Sequence, residues 1–563
     1  MSFAITLLIL FVGLGISWRY LGSYMANVYQ GRVRFLHSFE KIIYAILDVD
    51  ENSEQTWKGY ATSLILFSAF GILFTYLILR FQGFLPLNPL HFGSVSPALA
   101  FNTSISFVTN TNWQNYAGET TLSYLSQMIG LTVQQFVSAS VGIGVSIALI
   151  RGLARKNNPN IGNFWVDLVR GILYILLPIA FIGGLIFVGQ GAVQTLAGPM
   201  VIHDALNNIS QVIPRGPVGF MESIKQLGTN GGGFFNANGA HPFEDPTALT
   251  LILSVFLILI IPVSLTYTFG KMVNSVKQGL ALLMAMFIIF SISLGIGVYA
   301  EMQPNPAVAQ SHYVKQLNGN MVGKETRFGV PDTALYNITS TQTSTGSVAG
   351  ANDSFTPLGG LVLLSGMMLG EVSPGGVGSG LYTILLFALI AVFIGGLMIG
   401  RTPEYLGKKI QSKEVKLAAL GVLIMPITVL IITAIAVSVQ AGISGPSNAG
   451  PHGFSEILYA FTSQANNNGS AFAGLNGNTA FYNITGSIAM ILGRFGIIIP
   501  VLALAGSLGA KQTVPTSLGT FKTDNPTFTF LVIAVIIIIG GLTFFPALSL
   551  GPIIEMLLHG RFF

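Results

Sequence analysis

Ten stretches of this chain stay apolar long enough to cross the hydrocarbon core of a bilayer, which takes about 20 consecutive residues in a helix. They are Phe3 to Ile16 with its flanks, Ala61 to Leu79, Met128 to Ile150, Ile172 to Val188, Leu249 to Tyr267, Leu280 to Tyr299, Leu358 to Gly400, Leu417 to Val439, Ile484 to Leu508 and Phe528 to Leu548. Charged residues make up only 8% of the 563, against about 25% in soluble domains, and mean hydropathy is +0.68. The chain is therefore expected to be an all-α integral membrane protein whose surroundings are a lipid bilayer. No Lys or Arg precedes the first apolar run, as a secretory signal requires, so that run is read as a retained helix.

A net charge of +5 could suggest a nucleic-acid partner, but the basic residues do not cluster with aromatics on one face, and none is expected. They sort by loop instead. Arg19, Arg32, Arg34, Lys41 and Lys58 follow the first span; Arg151, Arg155, Lys156 and Arg170 the third; Lys271 and Lys277 the fifth; Arg401, Lys408, Lys409, Lys413 and Lys416 the seventh; Lys511 and Lys522 the ninth. The alternate loops hold only Arg80, Arg215, Lys225, Lys315, Lys324 and Arg327. The positive-inside rule makes the first group cytoplasmic and puts both termini outside. Val33 to Ile46 mixes basic and apolar residues and is too short to span, so it is placed along the inner interface. With no cysteine, the chain has no disulfide and no thiolate site.

The sparsely charged outer loops share a design. A moderately apolar piece is followed by Gly, Asn, Ser and Thr in "ALAFNTSISFVTNTNWQ" from Ala98, "GFMESIKQLGTNGGGFF" from Gly219, "ALYNITSTQTSTGSVAG" from Ala334 and "GFSEILYAFTSQANNNGSAF" from Gly453. Anchored on Thr111, Gly231, Gly346 and Gly469, these recur at separations of 120, 115 and 123 residues, a period that points to internal duplication. The predicted unit is helix, re-entrant pore loop, helix, four times around a pseudo-fourfold pore, with one extra helix at each end. The segments are residues 1–25 (extra helix), 26–58 (interfacial), 59–155, 165–272, 276–412 and 414–512 (repeats one to four) and 524–563 (last helix).

Irregular backbone at membrane depth survives only in protein or beside a watery cavity, since each unpaired polar group in lipid costs several kcal/mol. Four such loops imply a shared polar centre. A cation filter replaces the hydration shell with converging carbonyl oxygens, on backbone that glycine permits. Gly231 to Gly233 after Thr229 and Asn230, Gly346 after Thr345, and Gly469 after Asn466 to Asn468 meet that demand, and Thr111 stands where the first repeat lacks a glycine. The Asn-X-Ser/Thr matches at Asn102, Asn208, Asn337, Asn352 and Asn483 are read as part of the same polar composition.

The strings "TNTNWQNYAGE" from Thr109, "LGTNGGGFFNANGAHPFE" from Leu227, "NDSFTPLGG" from Asn352, "GEVSPGGVGSGLY" from Gly370, "GRTPEYLGKKI" from Gly400 and "NNNGSAFAGL" from Asn466 resemble the potassium-binding A subunits of bacterial Kdp potassium-transporting ATPases, over nearly the whole chain. The resemblance implies a filter lined by Asn110, Thr111, Gln114, Thr229, Asn230, Gly231, Thr345, Gly346, Asn468 and Gly469, with potassium as substrate. Thr345 departs from the cysteine expected in the best-known relatives. It also implies a P-type catalytic subunit and small accessory membrane subunits as partners in a bacterial inner membrane. The ion would enter the filter from outside and pass sideways through an intersubunit tunnel.

The seventh apolar stretch is too long for one crossing and is interrupted by Glu371, Pro374, Gly375, Gly376, Gly378 and Gly380. It should be a broken helix in the third repeat and a gate beneath the filter. Charges at mid-membrane cost at least about 2.5 kcal/mol, so Glu371 and Arg494 should face protein or water, and could pair with each other. Arg401 follows the broken helix; the resemblance puts it in the gate and tunnel region, against an ordinary interfacial anchor. Gln134 and Gln135 read as packing within the third span. No nucleotide loop, phosphorylation sequence or zinc motif occurs, so this chain should bind no nucleotide and hydrolyse no ATP. His241 and His452 flank the loops without clustered carboxylates and read as loop hydrogen-bonders rather than ligands. Two other readings compete with a pump subunit: a self-sufficient potassium channel or symporter, and a membrane enzyme using Glu371 with a loop histidine.

Overall fold

The computed structural model describes residues 2–204, 209–309, 316–398, 400–514 and 521–558; Lys315 and Asn208 lie outside them. Among the described residues ten helices are long and apolar enough to cross a membrane: Phe3–Tyr29, Trp57–Phe84, Ser126–Ala154, Phe164–Gly189, Ala248–Met272, Val276–Val308, Ser379–Met398, Ser412–Ser438, Ala480–Gly509 and Pro526–Leu557. The first continues to Tyr29, past the boundary expected at residue 25, because apolar and aromatic residues keep finding partners after Ile16. There Trp18 donates to Thr266 Oγ1 (2.9 Å) and Gly22 lets the helix lie directly on the Ser264 carbonyl.

Between the spans of each repeat sits a shorter helix: Pro97–Val108, Val218–Leu227, Gly329–Thr341 and Gly450–Ala465, of 12, 10, 13 and 16 residues. At about 1.5 Å per residue these reach no more than partway through a ~30 Å core. Proline at the start of the first and fourth sits where a missing N–H costs nothing. They run into Thr109, Gly228, Gln342 and Asn466 rather than apolar residues, so the chain turns back. The fold is thus four helix, pore-loop, helix repeats with a helix at either end.

The third repeat breaks its second helix, as expected. Pro357–Met368 stops, residues 369–378 run irregularly, and Ser379–Met398 completes the crossing. A further short segment, His37–Leu47, is amphipathic: Phe39, Ile42 and Ile46 are exposed, while Glu40 is buried and accepts from Arg170 (3.1 Å). Small residues bring the repeats together. A Cβ on Gly152 would meet the Ala505 carbonyl oxygen at 2.4 Å, so the third and ninth spans touch backbone to backbone. Buried charges find partners, as with Arg151 and Asp167 at 2.6 and 2.8 Å.

Candidate functional site

Each short helix ends with the same backbone arrangement. An N–H reaches back five residues at Thr111 (to Ser106), Asn230 (to Lys225), Thr345 (to Ser340) and Asn468 (to Ser463). Immediately before each stands a residue in the left-handed region: Asn110, Thr229, Ser344 and Asn467, at φ +66°, +46°, +51° and +57°. These landmarks correct the register read from the sequence. Asn112 (φ +58°), not Thr111, matches Gly231, Gly346 and Gly469, and the period becomes 119, 115 and 123 residues. Asparagine tolerates positive φ better than most residues, which hid the one-residue offset.

The loops close into a ring. Asn110 Nδ2 donates to the Thr229 carbonyl (3.0 Å), and Asn230 Nδ2 to Asn110 Oδ1 (2.6 Å). Gly346 N–H donates to the Asn230 carbonyl (3.1 Å), Asn468 Nδ2 to the Ser340 carbonyl (3.0 Å), and Asn467 Nδ2 to Thr111 Oγ1 (2.9 Å). The order around the ring is one, two, three, four, back to one. Space at the joints admits only glycine: a Cβ would lie 2.1 Å from the Gly346 nitrogen at Gly231, 2.7 Å from the Gly469 carbonyl carbon at Gly346, and 1.8 Å from the Thr111 oxygen at Gly469.

Thr345 repeats the first loop's chemistry, since the hydroxyl pair Thr343–Thr345 (3.0 Å) matches Thr109–Thr111 (2.8 Å). Gln114 acts as a clasp, its amide giving to and taking from the Gly233 backbone at 3.1 and 3.0 Å. Buried Asn230 Oδ1 has no hydrogen-bond donor among the described residues. Two further side chains support the loops: Gln135, which the sequence reads as packing, donates to the Gly232 carbonyl (2.7 Å), and Ser138, which sequence reasoning passed over, donates to Asn110 Oδ1 (2.7 Å). Both come from the third span and carry no local signature.

Directly against the ring lies the break of the third repeat. Val377 N–H donates to Thr229 Oγ1 (2.9 Å), Gly375 N–H to the Gln342 carbonyl (3.0 Å), and Ser146 Oγ to the Gly378 carbonyl (2.7 Å). Gly376 packs on Ser344, and Gly378 leaves no room beside the Gly142 carbonyl, 2.0 Å from its would-be Cβ. The irregular segment therefore touches repeats one, two and three, and Glu371 adds the fourth by accepting from Asn468 Nδ2 (2.8 Å) as well as from Ser344 Oγ.

Glu371 and Arg494 do not pair. Glu371 is held by those neutral donors and Arg494 donates to the Ser138 carbonyl (2.9 Å), buried in mid-helix rather than reaching for an interface. Both face one cavity of about 40 Å³ under the ring, whose near wall includes Asn110 and Ser344 and whose far wall is Met425, Pro426, Ile539 and Phe544. Arg401 stands apart: it follows Gly400 at the end of the seventh span and is exposed. His452 corrects another expectation, because carboxylates do surround it. Nε2 meets Asp353 at 2.7 Å and Nδ1 meets Glu555 at 2.9 Å, with Glu456 nearby. Both imidazole nitrogens are thus engaged, which suits a staple better than a metal ligand. His241 stacks on Phe235, 3.7 Å between ring centroids.

A family model described as the potassium-transporting ATPase A subunit matches residues 6–557. The chain belongs to this family. Two proteins named potassium-transporting ATPase potassium-binding subunit are similar along almost their whole length. That of Methylobacterium nodulans is 54% identical over 541 residues, 95% of this chain and 94% of the relative. That of Mesorhizobium japonicum is 53% identical over 563 residues, 99% of each. Among solved structures the potassium transporter TrkH from Vibrio parahaemolyticus shares the fold, with TM-score 0.51 and 14% identity over 86% of this chain and 97% of that one. Members of the A-subunit family are thus joined by sequence, and TrkH by architecture alone.

Proposed function

We propose that this chain is the potassium-binding and translocating subunit of an ATP-driven uptake complex in a bacterial inner membrane. Potassium enters from outside at the ring, where Asn110, Thr111, Thr229, Asn230, Gly231, Thr345, Gly346, Asn468 and Gly469, with Asn112, present neutral oxygens in place of water. Gln114 holds the first loop to the second. Both termini face outside.

The observation that carries this reading is the closure of the ring against the broken helix. An ion leaving the loops meets residues 371–378, which are hydrogen-bonded to them, and beside these residues a cavity lies between Glu371, Arg494 and the last long helix. That favours delivery to a neighbouring chain over straight conduction, and the names of the relatives agree. The neighbour is a P-type catalytic subunit, accompanied by small accessory membrane subunits, and it supplies the ATP chemistry for which this chain has no motif. Glu371, Gly375 and Gly376 form the gate, Arg494 lines the tunnel mouth, and exposed Arg401 serves at a subunit junction.

Gly231→Asp tests the site. A carboxylate there binds a cation too tightly and has no room at the Gly346 backbone, so potassium uptake by cells relying on the complex should fall at least tenfold with membrane insertion retained. Unchanged uptake and unchanged potassium-over-rubidium preference would sink the assignment.

A further inference from the structure

The four short helices are not equivalent at the position that holds the loop. In repeats one, three and four it is a serine bonded directly to its own loop: Ser106 Oγ gives to the Trp113 carbonyl (2.8 Å), Ser340 Oγ to the Thr345 carbonyl, and Ser463 Oγ takes from Gly469 N–H (3.0 Å). The matching residue of repeat two is Lys225, whose side chain is wholly buried. Its ammonium sits between the carboxylates of Glu222 (2.6 Å) and Glu244, with its third bond to Asn238 Oδ1 (2.7 Å). Asn238 in turn donates through Nδ2 to the Gly231 carbonyl (2.8 Å) and accepts from Ser347 Oγ (2.8 Å) beside Gly346.

We propose that Asn238, anchored by Lys225, is a positioning residue that sets where the Gly231 carbonyl and the Gly346–Ser347 backbone stand, and so determines potassium selectivity. This rests on the filter reading above. A serine reaches its own loop alone, whereas Lys225 works through an amide that bridges two loops. Ammonium and amide give a fixed geometry because the buried Lys is held by ion pairs to two carboxylates and a hydrogen bond to the amide. A filter discriminates ions by the number and placement of its oxygens, so a carbonyl released from Asn238 should accept a wider range of ion sizes. The second repeat would thereby break the pseudo-fourfold symmetry of the ring.

Asn238→Asp in the complete complex is the test. The shape and the acceptor for Lys225 remain; the N–H to Gly231 is lost. We expect the half-saturating potassium concentration to rise about tenfold and the rubidium-to-potassium uptake ratio to increase at least threefold, with maximal potassium-stimulated ATP hydrolysis within twofold of the parent. A merely structural role would lower the amount of assembled complex and leave both ratios alone. Should the aspartate variant not assemble, Asn238→Gly keeps the φ of +55° accessible and is read the same way. Gly231→Asp runs alongside: if it disturbs selectivity while neither Asn238 variant does, the positioning role is overturned and the filter stands; if Gly231→Asp has no effect either, the filter reading itself falls.

Discussion

Glycine at the ring joints is required by contact as much as by φ. At Gly469 both operate, because φ is +93° and any Cβ would overlap the Thr111 carbonyl oxygen. Gly469→Ala should therefore push the fourth loop off the first and raise the half-saturating potassium concentration at least tenfold, measured by uptake at graded external potassium, with expression unchanged. Glu371 is a different case. Its two oxygens accept from Ser344 and Asn468, and an amide presents only one acceptor oxygen. Glu371→Gln should keep the bond from Asn468 but reverse the one to Ser344, whose hydroxyl then accepts from the amide nitrogen, and so alter the segment beside the ring, lowering maximal uptake several-fold while half-saturation moves less than threefold. A pure affinity loss would put Glu371 in the filter rather than the gate.

Among elements, the fourth short helix is tied to the third repeat and to the end of the last span through His452. Burial alone would lower the imidazole pKa, but the hydrogen-bonded carboxylates of Asp353 and Glu555 outweigh it and lift it from 6.5 to about 10. A raised pKa means that the clamp contributes fully below the unfolded value of about 6.5 and fades as pH climbs through about 10. His452→Gln should thus cost roughly 3 kcal/mol near pH 6, the scale of breaking a buried pair, and markedly less near pH 10. Thermal unfolding of both proteins at the two pH values checks this, and a gap that widens with pH would reject the charged clamp. The broken helix works by close approach instead. Its glycines at 376 and 378 bring backbone flush against the third loop and the third span, which side chains would prevent, while Gly375 lets the segment fold back on Glu371 and Gly380.

On the scale of the molecule, four repeats from one polypeptide can diverge, and they have. Hydroxyls stand at Thr111 and Thr345 where amides stand at Asn230 and Asn468; among the described residues only the third repeat breaks its helix, and only the second has a charged strut at the loop-holding position. On the proposed reading, in which residues 371–378 gate the ring, the chain should not conduct when reconstituted alone. Potassium flux into liposomes from the isolated chain is expected to stay at background, and to appear once the partner subunits and ATP are added. Sustained flux without partners would favour the channel reading.

Spans and loops were legible in the sequence because each is a local property: a run of about 20 apolar residues obliges a crossing, and glycine, asparagine and threonine after a half-length apolar piece oblige a return. The broken helix was legible too, since its glycines and Pro374 lie close together in the chain. Tertiary structure alone decided the register of the first loop, where Asn112 adopts a backbone that a reading of the sequence assigns by habit to glycine. It also decided the partners of the buried charges. Glu371 is held by Ser344 and Asn468 instead of Arg494, and His452 is gripped from residues 353 and 555. Except for Ser344, these partners lie 97 to 103 residues away along the chain, and no local pattern encodes which distant polar group arrives at a site that excludes water.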